Sequence, residues 1–182
     1  MTEVIKRDGT REQLDIEKLH KVVFYACEGI NGVSASEVEI KSQIQFFDGI
    51  TSSEIQETLI KSAADLISEE TPNYQWVAGR LINYHLRKMV YGKFDPISLL
   101  DLIKKNVELG FYDSQILETY SKSEFTKLNK YIKHDRDDSL TYAAMEQFRG
   151  KYLVQNRVTK QIYETPQMAY MLIAMTLFQS YP

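Results

Sequence analysis

Helix-start signals recur along this chain and constrain its fold more than any other feature. Asp15, Ser34, Thr51 and Ser121 each stand ahead of an apolar pattern of helical period. Thr71-Pro72 and Thr165-Pro166 read as an N-cap followed by a first-turn proline. Ser34 with Glu37, Thr51 with Glu54 and Ser121 with Glu124 have capping-box spacing. The first helix puts Ile16, Leu19, Val23 and Ala26 on one face and stops at Gly29. In the third, Ile55, Leu59 and Leu66 form the stripe, and the fourth runs from Thr71-Pro72 to Gly92. Ahead of them, Val4-Ile5-Lys6 and Arg11 to Leu14 flank Asp8-Gly9, a hairpin-turn signal. Residues 1–92 are therefore expected to form a β-hairpin packed on four helices.

Gly92-Lys93-Phe94-Asp95-Pro96 is the best boundary. Beyond it, residues 93–182 are expected to be helical, with Ile97 to Leu109 closed by Gly110 and a helix carrying Phe125, Leu128 and Ile132. Leu153-Val154-Gln155 and Gln161-Ile162-Tyr163 flank Asn156 to Lys160 and predict a second, short hairpin. The last helix is apolar nearly all round, a pattern suited to burial inside a larger protein. The fold class is mainly α.

Composition removes several function classes. A formal charge of −3 argues against a strongly basic nucleic-acid binder, although residues 1–92 carry −4 and residues 93–182 carry +1. One cysteine, Cys27, excludes a disulfide framework and a Cys-rich zinc site. The start of the chain is polar, and the longest apolar stretch, Met168 to Phe178, is well short of the roughly 20 residues of a bilayer span. The expectation is a soluble, cytoplasmic protein with no membrane partner.

Chemistry-bearing residues are few. Lys6 and Arg7 precede the hairpin turn, and Lys18 sits in the first turn of the following helix. Folded together, these cations can converge on one anionic group such as a triphosphate. Thr51-Ser52-Ser53 opens a helix with amide N–H groups and hydroxyls suited to an anion. Lys88 adds charge late in the fourth helix, and Tyr84, one turn earlier on the same face, is the best aromatic for stacking on a base. The plainer alternative, solvated surface charges, is the commoner outcome for Lys and Arg. His20, His85 and His134 are scattered without a metal-binding spacing, and Cys27 beside Ala26 reads as a small core residue. The run His134-Asp135-Arg136-Asp137-Asp138 reads as a solvated loop or helix face.

Three stretches carry a resemblance. VIKRDGTREQLDIEKLHKV, SQIQFFDGITSSEIQETLIKSAADLIS and PNYQWVAGRLINYHLRKMVYGKFDP together resemble an ATP-cone, the regulatory nucleotide-binding domain of ribonucleotide reductases. HDRDDSLTYAAMEQFRGKYLVQNRVTKQIYETPQ resembles the N-terminal helical segment of the class I reductase large subunit. The resemblance implies a fold, a four-helix cone covered by a small hairpin or sheet, and a division into a cone at 1–92 and the incomplete start of a catalytic domain at 93–182. It implies ATP or dATP as allosteric effector, accompanied by Mg²⁺. By matched position the nucleotide ligands are Val4, Lys6, Arg7, Glu12, Gln13, Leu14, Asp15, Ile16, Glu17, Lys18, Ser52, Gln56, Tyr84 and Lys88. The implied partners are the remainder of the large subunit, a second large subunit and a radical-generating small subunit.

Two positions depart from the family pattern. Gln56 stands where many members have an imidazole, and Asp15 where they often have Asn. Both bear on discrimination between ATP and dATP, and they predict weak dATP inhibition. The family's radical-bearing and redox-active cysteines have no counterpart, so no catalytic residue or catalytic cofactor is expected in this chain, and alone it is not expected to reduce nucleotides. A freestanding ATP-cone regulator is the alternative, but such regulators carry a cysteine-rich zinc ribbon. A glycyl-radical reductase bearing the same cone is less consistent with YLVQNRVTKQIYETPQ.

Overall fold

A computed structural model describes residues 2–181. The chain divides into two compact units, Met1–His85 with Asp138–Glu146, and Leu86–Asp137 with Gln147–Pro182.

The first unit opens with β1 (Glu3–Ile5) and β2 (Arg11–Gln13), antiparallel, with Val4 opposite Glu12. Gly9 takes φ +84°, as the tight turn requires, and Asp8 accepts from the Thr10 amide at 3.0 Å. A third strand, β3 (Ile50–Thr51), pairs parallel to β1, giving a mixed sheet in the order β2-β1-β3. Two residues of strand leave no period to read in sequence. Asp48 pins it by accepting from the Glu3 amide at 2.8 Å.

Four helices follow the expectation: α1 (Ile16–Cys27), α2 (Ala35–Gln43), α3 (Ser52–Ala64) and α4 (Tyr74–Tyr91), the last crossing the division between the units. Their inward residues are sealed: Val23, Ala26, Val38, Leu59, Ala63, Val77, Leu81 and Ile82 are fully buried. Each large aliphatic among them contributes about 1.5–3 kcal/mol. Arg80 donates to the carbonyls of Ala26 (3.4 Å) and Glu28 (2.6 Å), placing a cation at the α1 C-terminus, whose last turn has none.

The structure corrects several local expectations. Ile16 is 59% exposed and leaves the buried face of Leu19, Val23 and Ala26, because it is the first residue of α1. Leu66 lies beyond the end of α3. The fourth helix begins at Tyr74, since the Thr71 hydroxyl donates back to the Leu66 carbonyl at 2.7 Å instead of capping. Ser34 caps α2, but Glu37 does not close the box; its carboxylate accepts from the hydroxyl of buried Tyr74.

The second unit holds α5 (Leu99–Glu108), α6 (Gln115–Thr119), α7 (Lys122–Tyr131) and α9 (Pro166–Phe178). Between α7 and α9 in sequence come a 3₁₀ turn (His134–Ser139), α8 (Tyr142–Gln147) and a π turn (Phe148–Tyr152), which cross between the units. Ser98 caps α5, and the Ser121–Glu124 box forms as expected. The second hairpin shrinks to one bridge, Gln155 to Ile162. The buried Glu164 carboxylate takes the Val154 amide at 2.8 Å, removing a donor from the ladder. In the His134–Asp138 run only Asp135 and Arg136 are exposed, against the expectation of a solvated face; Asp137 is buried. Helix α9 buries Met168, Ala169 and Met175 yet exposes Tyr170, Ile173, Leu177 and Phe178. Among the described residues no helix is long and apolar enough to cross a membrane.

Candidate functional site

The hairpin and the start of α1 bring four of the expected residues together. Lys6 Nζ lies 2.9 Å from Glu12 Oε2, and Lys18 Nζ lies 3.9 Å from Glu12 Oε1 and 3.3 Å from Asp15 Oδ2. Glu12 thus gathers both lysines at one carboxylate. Its hydrogen bond to Lys6 raises the ammonium pKa, so that lysine keeps its charge throughout the physiological range. Asp15 is the N-cap of α1, accepting from the Lys18 amide at 3.0 Å, and that bond lowers its pKa. The cap explains an aspartate among cations without requiring it to meet a phosphate.

Arg7 turns elsewhere, although it follows Lys6 directly. Its Nη2 lies 3.5 Å from Nδ1 of His85, whose Nε2 lies 3.5 Å from Glu57 Oε1. A proton on Nε2 facing the carboxylate leaves Nδ1 to accept from the guanidinium, so the pair of contacts favours one tautomer. Partial burial lowers the Arg7 pKa from its very high ordinary value. His85, only 3% exposed, and Glu57 were not singled out by sequence reading, because the 78 residues separating Arg7 from His85 hide the contact.

The remaining expected residues are distributed around these. Val4 is buried in the sheet and Leu14 is half-buried, with its amide donating to the Thr2 carbonyl at 2.9 Å. Gln13, Ile16 and Glu17 are exposed. Ser52 is the first residue of α3, directly after the N-cap Thr51. The Glu54 carboxylate accepts from the Thr51 amide at 2.8 Å and its hydroxyl at 2.7 Å, forming the expected capping box. One turn on, the side-chain oxygen of Gln56 is buried with no hydrogen-bond partner among the described residues. Such an orphan acceptor fits a donor brought by a ligand. On α4 the ring of Tyr84 lies 6.4 Å from that of Tyr25, and Lys88 follows one turn later, half-exposed.

Among the described residues no group of three or more His, Cys, Asp or Glu could hold a metal. Cys27 is half-buried, not fully in the core, and burial pushes its thiol up to about 11, so it stays protonated.

The helical unit capped by a small sheet, with cations at the sheet–helix junction, falls within a known domain family. Residues 2–89 match the ATP cone domain family, and residues 138–181 match the ribonucleotide reductase all-alpha domain family. The chain thus carries an ATP cone and the start of a reductase all-alpha domain, and over nearly its whole length it is similar to the N-terminal part of class I ribonucleotide reductase alpha subunits. It is 52% identical over 179 residues to ribonucleoside-diphosphate reductase 1 subunit alpha of Escherichia coli K12, covering 98% of this chain and 24% of that relative. The subunit alpha of Haemophilus influenzae is 50% identical over 179 residues, again 98% of this chain and 24% of the relative. That of Enterobacteria phage T4 is 44% identical over 181 residues, with the same shares of each chain. The chain thus spans about a quarter of the length of the curated relatives it matches. The second family match distinguishes it from a freestanding ATP-cone sensor.

Proposed function

We propose that this chain is the allosteric adenine-nucleotide-binding part of a ribonucleoside-diphosphate reductase large subunit, taking ATP or dATP as effector. The observation that carries the reading is the meeting of Lys6 and Lys18 at Glu12, at the junction of hairpin and α1. A triphosphate arriving there exchanges one carboxylate for several anionic oxygens, and charge-assisted hydrogen bonds to both ammonium groups favour it. Arg7 and Lys88 add charge, Ser52 a hydroxyl, Gln56 an acceptor and Tyr84 a stacking face. Backbone and side chains of Val4 and Glu12 to Lys18 shape the rest of the pocket. Mg²⁺ accompanies the triphosphate and offsets part of its charge.

In this reading residues 1–92 are the cone and residues 93–182 begin the catalytic domain. The chain works in the cytoplasm with the remainder of the large subunit, a second large subunit and the radical-generating small subunit. Occupancy of the cone shifts the assembly between states, with a coupling of about 1–3 kcal/mol. Titration calorimetry of ATP with Mg²⁺ into the chain tests this. Wild type should bind saturably, and Lys6→Ala and Lys88→Ala should each weaken binding at least tenfold. Unchanged affinity in both variants would remove the phosphate site.

A further inference from the structure

We infer that Asp138 is a positioning residue that ties nucleotide occupancy at Tyr84 to the docking of the strap Asp138–Glu146, the point where the match to the all-alpha domain begins. The inference rests on the nucleotide-binding reading above and adds the route by which the cone acts.

The strap comes from the sequence matched by the reductase domain, yet it belongs to the compact unit formed by Met1–His85. Asp138 is the node of its attachment. One carboxylate oxygen accepts from the Tyr25 hydroxyl of α1 at 3.0 Å, the other from the Asn83 side-chain amide of α4 at 2.7 Å. Its backbone carbonyl accepts from Arg80 Nε at 3.3 Å, and the same guanidinium closes the C-terminus of α1. One aspartate therefore fastens the strap to both helices. The fit beside it is close. A Cβ on Gly79 of α4 would sit 2.1 Å from the Leu140 carbonyl oxygen and 3.0 Å from the Thr141 carbonyl carbon. Met145 of the strap is fully buried.

The link to the nucleotide is short. Tyr25 touches Asp138 with its hydroxyl and Tyr84 with its ring, at 6.4 Å between centroids, and Asn83 is the neighbour of Tyr84 in α4. A base laid against Tyr84 restricts that ring, and with it the Tyr25 ring whose hydroxyl holds the strap. Both ends of the strap continue covalently into the second unit, at Asp137 and Gln147, so its docking is passed on by the chain itself. Linkage requires the converse: releasing the strap must weaken nucleotide binding by the factor by which the nucleotide favours its docking.

Hydrogen exchange on the full 182-residue chain, with and without saturating ATP and Mg²⁺, tests the inference. The reporters are the amides of Ala144 and Met145, which donate to the Thr141 hydroxyl and carbonyl inside the strap. In wild type, ATP should slow their exchange at least threefold. Tyr25→Phe, which removes only the hydroxyl, should abolish that response and weaken ATP binding by the factor of protection lost. A merely structural hydroxyl would change exchange equally with and without ATP. If ATP binds wild type yet leaves these amides unchanged, or if Tyr25→Phe keeps the full ATP response, the inference is overturned while the binding reading stands. Failure of ATP to bind wild type overturns the binding reading and this inference with it.

Discussion

Lys6 and Glu12 face each other across the hairpin with Nζ 2.9 Å from Oε2, and both side chains are about two-fifths exposed. Exposed pairs of this kind contribute little to folding. Lys6→Ala is therefore expected to leave the melting temperature within about 2 °C of wild type, by circular dichroism. Its loss of ATP affinity then reports on the site and not on the fold. A large fall in melting temperature would show the pair to be structural.

The close approach of α4 to the strap gives a stability prediction. Gly79→Ala places a methyl against a backbone carbonyl that cannot rotate away. Overpacking of this kind costs about 1–3 kcal/mol. Denaturant unfolding should show a loss in that range, whereas an unchanged midpoint would mean that the strap is not held at the distance seen.

His134 makes the second unit sensitive to acid. Burial holds its pKa down at about 4, from an ordinary 6.5, with the Arg87 charge adding to the effect, and its Nδ1 is buried without a hydrogen-bond partner among the described residues. The folded state refuses a proton that the unfolded state accepts. Stability attributable to this residue is therefore full above pH 6.5, falls as the pH drops towards 4 and is constant below. The stability difference between wild type and His134→Gln, followed by thermal melts across that range, should trace this curve. Carboxylates common to both proteins cancel. A difference independent of pH would contradict the assignment.

The departures at Gln56 and Asp15 bear on effector choice. Asp15 is engaged in capping α1, while Gln56 offers a buried acceptor where many family members have an imidazole. In a full-length enzyme carrying this cone, dATP should inhibit weakly or not at all. Activity assays combined with light scattering check this, and strong inhibition with formation of a larger oligomer would refute it.

Short-range chemistry was legible in the sequence and long-range chemistry was not. The boxes Thr51–Glu54 and Ser121–Glu124 form because both members lie within one turn. Ser34–Glu37 has the same spacing, but Tyr74, far along the chain, claims the glutamate. The site divides in the same way. Lys6 and Lys18, close in sequence, converge as their spacing predicts, whereas Arg7, expected with them, turns to His85. The Arg7–His85–Glu57 contacts and the hold of Tyr25, Arg80 and Asn83 on Asp138 are set by tertiary packing across 28 to 113 residues. No local pattern encodes them.

If positive side chains at the hairpin grip a triphosphate, affinity must depend on phosphate number more than on the base. Calorimetric titration of the chain with ATP, ADP and AMP, at one fixed salt and Mg²⁺ concentration, measures this directly. The account predicts a stepwise loss, with AMP at least a hundredfold weaker than ATP. AMP binding as tightly as ATP would contradict it.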